Sequence, residues 1–181
     1  MIRHPRPLLA GACALFTCVL PSVASAASEV EQIRRNAEFV KANFGSTSGM
    51  ADFGCNDRSY AYLDGFITRQ REAIQKDSRS MDQFVAIVGS FVGECIVSTY
   101  RGAWKLDDGD YAVAVTARQQ QHLLQPFERV SRRIQDADQE AGPDSLQGYF
   151  RDLPKALGGP PPADAAMTPG AALAAEPTGA R

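Results

Sequence analysis

The run FVAIVGSFVGECIVSTY, Phe84 to Tyr100, is apolar or small at nearly every position. A helix with this sequence has no polar face to turn toward water, so other elements must surround it. That requirement predicts one central helix with partners on several sides. The run is short for a bilayer, contains Glu94 and follows an N-terminal segment with the features of a cleavable signal, so it reads as a core helix. Ser80-Met81-Asp82-Gln83 has the capping-box pattern that would open it, and Gly102 would stop it. Gly89 and Gly93 lie four residues apart on one face beside Ala86 and Ser90, which predicts a close approach by another element.

Glu94 is the chemical anomaly of this run. A carboxylate on an apolar helix must be paired, protonated or placed at a cleft. The simpler reading makes it structural, accepting hydrogen bonds from backbone amides or pairing with Arg58, Arg69 or Arg101. The catalytic reading makes it one half of a glycosidase pair, with Asp57, Asp64 or the Asp107-Asp108-Asp110 turn across the substrate. Trp104 either anchors a ligand or caps the core where the helix gives way to a sheet. Glu94, Arg101, Trp104 and Arg69 are therefore the candidate binding residues or buried polar hub, and no residue is assigned a catalytic role.

The elements around the central helix follow from periodicity. Ser28-Glu29-Val30-Glu31 is a second capping box, and Val30, Ile33, Ala37, Val40 and Phe44 give a helical stripe ending at Gly45. Gly45 to Gly54 is a loop by composition. Asn56 or Asp57 caps a helix with the stripe Tyr60, Leu63, Ile67 and Ile74, and a glycine within it, Gly65, predicts close packing by another helix. After Trp104 the period becomes two. Asp108-Gly109 marks a tight hairpin between a strand at Ala103–Leu106 and another at Tyr111–Val115, with a third strand near His122–Gln125. Phe127, Val130 and Ile134 form the stripe of a helix starting near Pro126, and Leu146, Tyr149, Phe150 and Leu153 that of a last short helix. The fold class is α+β: three N-terminal helices with a long buried central one, a small antiparallel sheet, then two shorter helices.

The chain ends carry other information. Arg3 and Arg6, the apolar stretch Leu8 to Leu20 and the small residues Ala24-Ser25-Ala26 make residues 1–26 read as a signal peptide cleaved near Ala26. The expected location is periplasmic or secreted, with no membrane span in the mature chain. The segment 157–181, rich in Pro, Ala and Gly, cannot offset the entropy of ordering and reads as a disordered tail. One globular domain, 28–156, lies between. Loss of Cys13 and Cys18 with the signal leaves Cys55 and Cys95. In an oxidising compartment these either form one disulfide, the favoured reading, or remain two buried small apolar residues.

Composition excludes several functions. The chain has 19 cationic and 21 acidic side chains and a formal charge of −2. Loss of Arg3 and Arg6 makes it slightly more acidic, and nucleic acid is not an expected partner. Once His4 leaves with the signal, His122 is the only histidine, so a multi-histidine zinc site is ruled out and no metal or cofactor is expected. Phosphate-loop, dinucleotide and nucleophile-elbow motifs are absent. A Cys–His pair using Cys55 or Cys95 with His122 is the weaker thiol-enzyme reading.

GSFVGE (89–94), RGAW (101–104), QPFERVSRR (125–133) and GPDSLQGYF (142–150) together resemble an uncharacterised family of small bacterial domains. Its pattern is Gly-Ser-x-Leu-Gly-Glu, Gly-Gly-x-Trp, Pro-Phe-x-x-Val and Asp-Ser-Leu (or Ile)-x-x-Phe (or Tyr). The resemblance covers about Asp57 to Pro154 and departs at Val92 and at Arg101, where the family often has Gly. It implies a compact α+β fold and brings no activity. The expected function is an exported non-catalytic binding domain for an unknown protein or envelope ligand, of inhibitor or immunity type. The alternative is a cell-envelope hydrolase using Glu94.

Overall fold

The computed structural model describes residues 23–135 and 145–160. Five helices and three strands follow in the order α1 (Val23–Ser48), α2 (Asp57–Ile74), α3 (Ser78–Tyr100), β1 (Ala103–Asp107), β2 (Asp110–Ala117), β3 (Gln120–Leu124), α4 (Pro126–Gln135) and α5 (Leu146–Ala156). This is the α+β arrangement expected, with α3 at its centre. By length and composition α3 would qualify as a membrane-crossing helix. In the fold its apolar faces lie against α1, α4 and β2, with Val88, Phe91, Val92, Cys95 and Ile96 buried.

Several boundaries differ from expectation, each for a local reason. The first helix begins at Val23, ahead of Ser28, because the Ala-rich stretch Val23–Ala27 continues the helix readily. It also runs past Gly45 to Ser48 and ends where Gly49 adopts a left-handed φ of 68°. The Ser80 capping box does not open α3. Asp77 is the N-cap instead, its carboxylate accepting from the Ser80 amide at 2.7 Å. Arg101, with φ 55° and ψ 38°, is the left-handed residue that ends α3, where Gly102 had been expected.

Gly102 has a different use. A Cβ there would lie 2.7 Å from Val113 Cγ1 and 3.1 Å from the Ala114 carbonyl oxygen, so its lack of a side chain lets the chain turn tightly onto β2. Among the described residues Gly65 is not under another helix: the neighbour its Cβ would meet is the Arg69 guanidinium. The ordered fold also extends beyond 156, since Leu157 is buried in the core. Residues 1–22, to which most of the expected signal belongs, and 161–181, most of the expected tail, lie outside the described residues, as do Gly142 to Asp144.

The sheet is a meander of order β1-β2-β3. Asp108 and Gly109 (φ 48° and 93°) join the first hairpin, and Arg118 and Gln119 (φ 49° and 64°) join the second. Two positive φ values in a two-residue loop match the twist of the flanking strands. Trp104, Val113, Val115 and Leu124 share the face turned toward the helices. The other face presents Ala103, Lys105, Thr116, Gln121 and Leu123 to solvent.

Candidate functional site

Cys55 and Cys95 are bonded, with Cα atoms 5.2 Å apart, tying the loop before α2 to the C-terminal part of α3. Neither thiol is available to His122, which removes the Cys–His nucleophile. His122 instead lines a shallow groove with Arg118, Gln120 and Lys155.

Glu94 is half-buried and accepts one hydrogen bond, from the indole N–H of Trp104 at 2.7 Å. It pairs with neither Arg58, Arg69 nor Arg101, and takes no backbone amide, so it is not the buried ionic hub that the sequence pointed to. Arg69 and Arg101 are both exposed. Of the four candidate residues the structure brings together two, Glu94 and Trp104. A Cβ on Gly93 would fall inside the indole, 2.1 Å from Cη2, and one on Gly89 would lie 2.4 Å from Phe127 Cδ1. The glycines thus form the seat on which Trp104 and Phe127, with ring centroids 5.7 Å apart, pack. Trp104 caps the core where α3 meets the sheet, and Glu94 satisfies its one polar atom.

The buried hub lies elsewhere. Asp64 on α2 and Arg133 on α4 are 2 % and 1 % exposed and meet at 2.8 Å. Arg133 also donates to the Asp64 carbonyl at 3.0 Å and to Thr68 Oγ1 at 2.7 Å. The two Asp64 carboxylate oxygens accept the first amides of α5, Leu146 and Gln147, each at 2.9 Å. A negative charge at a helix N-terminus is favourable, and here it joins α2, α4 and α5 at one point. The signal was present in the sequence: Asp64 falls within the Tyr60, Leu63, Ile67 stripe, and Arg133 within that of Val130 and Ile134. Opposite charges on the buried stripes of separate helices are candidates to meet.

Asp57 forms a second, exposed clamp. Its carboxylate takes Arg151 Nε at 2.6 Å, Arg151 Nη2 at 2.8 Å and Gln147 Nε2 at 2.8 Å. The Arg151 hydrogen bond holds its pKa below the usual carboxylate value. Burial pushes the Tyr149 hydroxyl up to about 12 and raises that of Tyr60 further, so neither phenol is prepared as a base. Tyr111 is bonded to Glu29, which fastens the start of β2 to the first turns of α1.

Two concave surfaces stand out. A groove of about 400 Å³ between α1, α2 and α3 is lined by Phe39, Phe44, Phe66, Ile74, Phe84 and Ile87, with the neutral residues Gln70, Ser80 and Gln83 at its margin. A second, of about 490 Å³, is lined by Asp107, Asp108, Asp110 and Glu128 with Gln125 and Ser131. Glu94 lines neither. Among the described residues no group of three or more metal-ligating side chains is arranged to hold a metal ion. No family model, no curated protein and no solved structure matches the chain.

Proposed function

We propose that the protein is an exported, non-catalytic binding domain for a macromolecule or an envelope ligand, of inhibitor or immunity type. The observation that carries this reading is the use of its carboxylates. Glu94 is held by Trp104, Asp57 by Arg151 and Gln147, and Asp64 by Arg133 and the α5 amides. A glycoside hydrolase built on Glu94 needs a second carboxyl group facing the same bond, one poised to protonate and one free to attack or activate water, and the groove that holds Asp107, Asp108 and Asp110 does not include Glu94. Partners that hold a carboxylate in a structural bond work against both tasks. The apolar groove between α1, α2 and α3 supports the binding reading, since ligand sites are concave and mainly apolar with a few polar groups. The likeness to small bacterial domains is consistent with it and adds no activity.

The test compares the purified exported protein with its Glu94→Gln variant for release of soluble fragments from peptidoglycan. Neither should release any, and in-cell crosslinking of the exported protein should trap a discrete adduct. Fragment release by the wild type that Glu94→Gln abolishes would establish the hydrolase instead.

A further inference from the structure

Among the described residues β1 and β3 each pair with β2 on one side only. Arg118 and Gln119 close the second hairpin between Ala117 and Gln120, so Gln120, His122 and Leu124 direct their N–H and C=O groups at β2. Alternation turns those of Gln121 and Leu123 outward, and neither residue has a hydrogen-bond partner among the described residues. Natural sheets protect such edges with charges, prolines or bulges. The sequence Gln-Gln-His-Leu-Leu of β3 has no Lys, Arg, Asp, Glu or Pro, and its five pairs with β2 run without a bulge. Leu123 is 38 % exposed beside the outward-facing groups.

We propose that β3 pairs antiparallel with β3 of a second copy of this chain, joining two three-stranded sheets into one of six strands. The outward donors and acceptors of Gln121 and Leu123 repeat at the spacing that only another extended strand matches. Charge decides in favour of a second copy, and of this edge. A two-fold axis through His122 sets Gln121 of each copy opposite Leu123 of the other, and both members of each pair present outward backbone groups. No permanent charge then faces its own kind. The same operation on β1, whose outward residues are Trp104 and Leu106, would place Lys105 directly opposite Lys105, which is unfavourable. The self-complementary, uncharged edge is β3. This inference concerns assembly and does not rest on the binding reading above.

The experiment is sedimentation of the exported protein over a range of concentrations. Wild type should pass from monomer to dimer, and the amides of Gln121 and Leu123 should gain hydrogen-exchange protection as it does so. Gln121→Pro removes an outward donor while leaving the ladder to β2 intact, and should weaken dimerisation at least tenfold. The Gln121→Lys/Leu123→Lys variant sets lysine directly opposite lysine in both pairs, with no loss of a backbone donor, and should do the same; it serves if the proline variant misfolds. Far-UV circular dichroism confirms that each variant folds. A wild-type monomer at every concentration, or a dimer that the double lysine variant leaves unweakened, would overturn the proposal. So would a monomer whose β3 amides become protected only by a foreign extended peptide.

Discussion

At the residue scale, the end of α3 separates two jobs that one glycine was expected to do. Arg101 takes the left-handed conformation that terminates the helix, and Gly102 supplies the space for contact with Val113 and the Ala114 carbonyl. A non-glycine residue in that conformation carries a cost of about 1–2 kcal/mol. Arg101→Gly should therefore raise the unfolding free energy from urea titration by roughly 0.5–1 kcal/mol after the added unfolded-state entropy of glycine is subtracted. Gly102→Ala should lower it by about 1–3 kcal/mol, because the neighbour at closest range is a β-branched side chain on a packed strand. Opposite signs at adjacent positions are the outcome to measure; a loss at both would mean that the Arg101 side chain matters more than its backbone. The sequence showed that the helix stops here. It could not show which residue takes the positive φ, because that depends on how closely β2 approaches.

At the scale of elements, the fold is joined by two carboxylates at opposite degrees of burial, and neither was the one that drew attention in the sequence. Glu94 was conspicuous because its surroundings in the chain are apolar. Asp64 and Arg133 lie in mixed sequence, and only their shared register with the buried stripes marks them. Removing one member of a buried pair leaves the other charged and unpartnered, at a cost of roughly 3–5 kcal/mol. Asp64→Ala should reach the upper end of that range, because it also exposes the first amides of α5, whereas Arg133→Ala leaves those bonds in place. Urea titration of both variants checks the order. The Asp57–Arg151 clamp answers to pH. Asp57 has a depressed pKa in the folded state, so its contribution is present above the unfolded value of 3.8 and is lost as pH falls through the folded value. Arg151→Ala should thus cost stability at neutral pH and cost progressively less as the solution is acidified below 3.8. The gap between the two urea-midpoint curves should close toward acid; a constant gap would assign the effect to packing.

At the scale of the whole molecule, the central apolar helix made the architecture legible, since a helix that is apolar all round dictates neighbours on every side. The helical stripes of α1, α2 and α4 and the Asp-Gly hairpin were equally readable. The second hairpin turn was not, because Arg118 and Gln119 adopt positive φ without the Gly or Asn that announces such turns. Only the strands on either side of it betray it. The disulfide was readable as a pairing, and its position explains why it matters to the assembled fold. Cys95 is buried in the C-terminal part of α3, while Cys55 lies in the aperiodic segment between α1 and α2, which has little regular structure to hold it. The bond closes a separation of 40 residues that contains all of α2 and most of α3. Constraining a loop of that length in the unfolded chain stabilises the fold by about 4 kcal/mol in the chain-entropy model. The Cys55→Ala/Cys95→Ala variant should lose about that much, and reductant should shift the wild-type urea midpoint toward the variant's. The native contacts around Cys95 are only slightly altered by the change, so the loss should appear mainly as slower refolding, with unfolding less affected. Unfolding that accelerates by the full amount, with refolding unchanged, would show instead that the bond acts by holding the 49–56 segment against α3 in the folded protein.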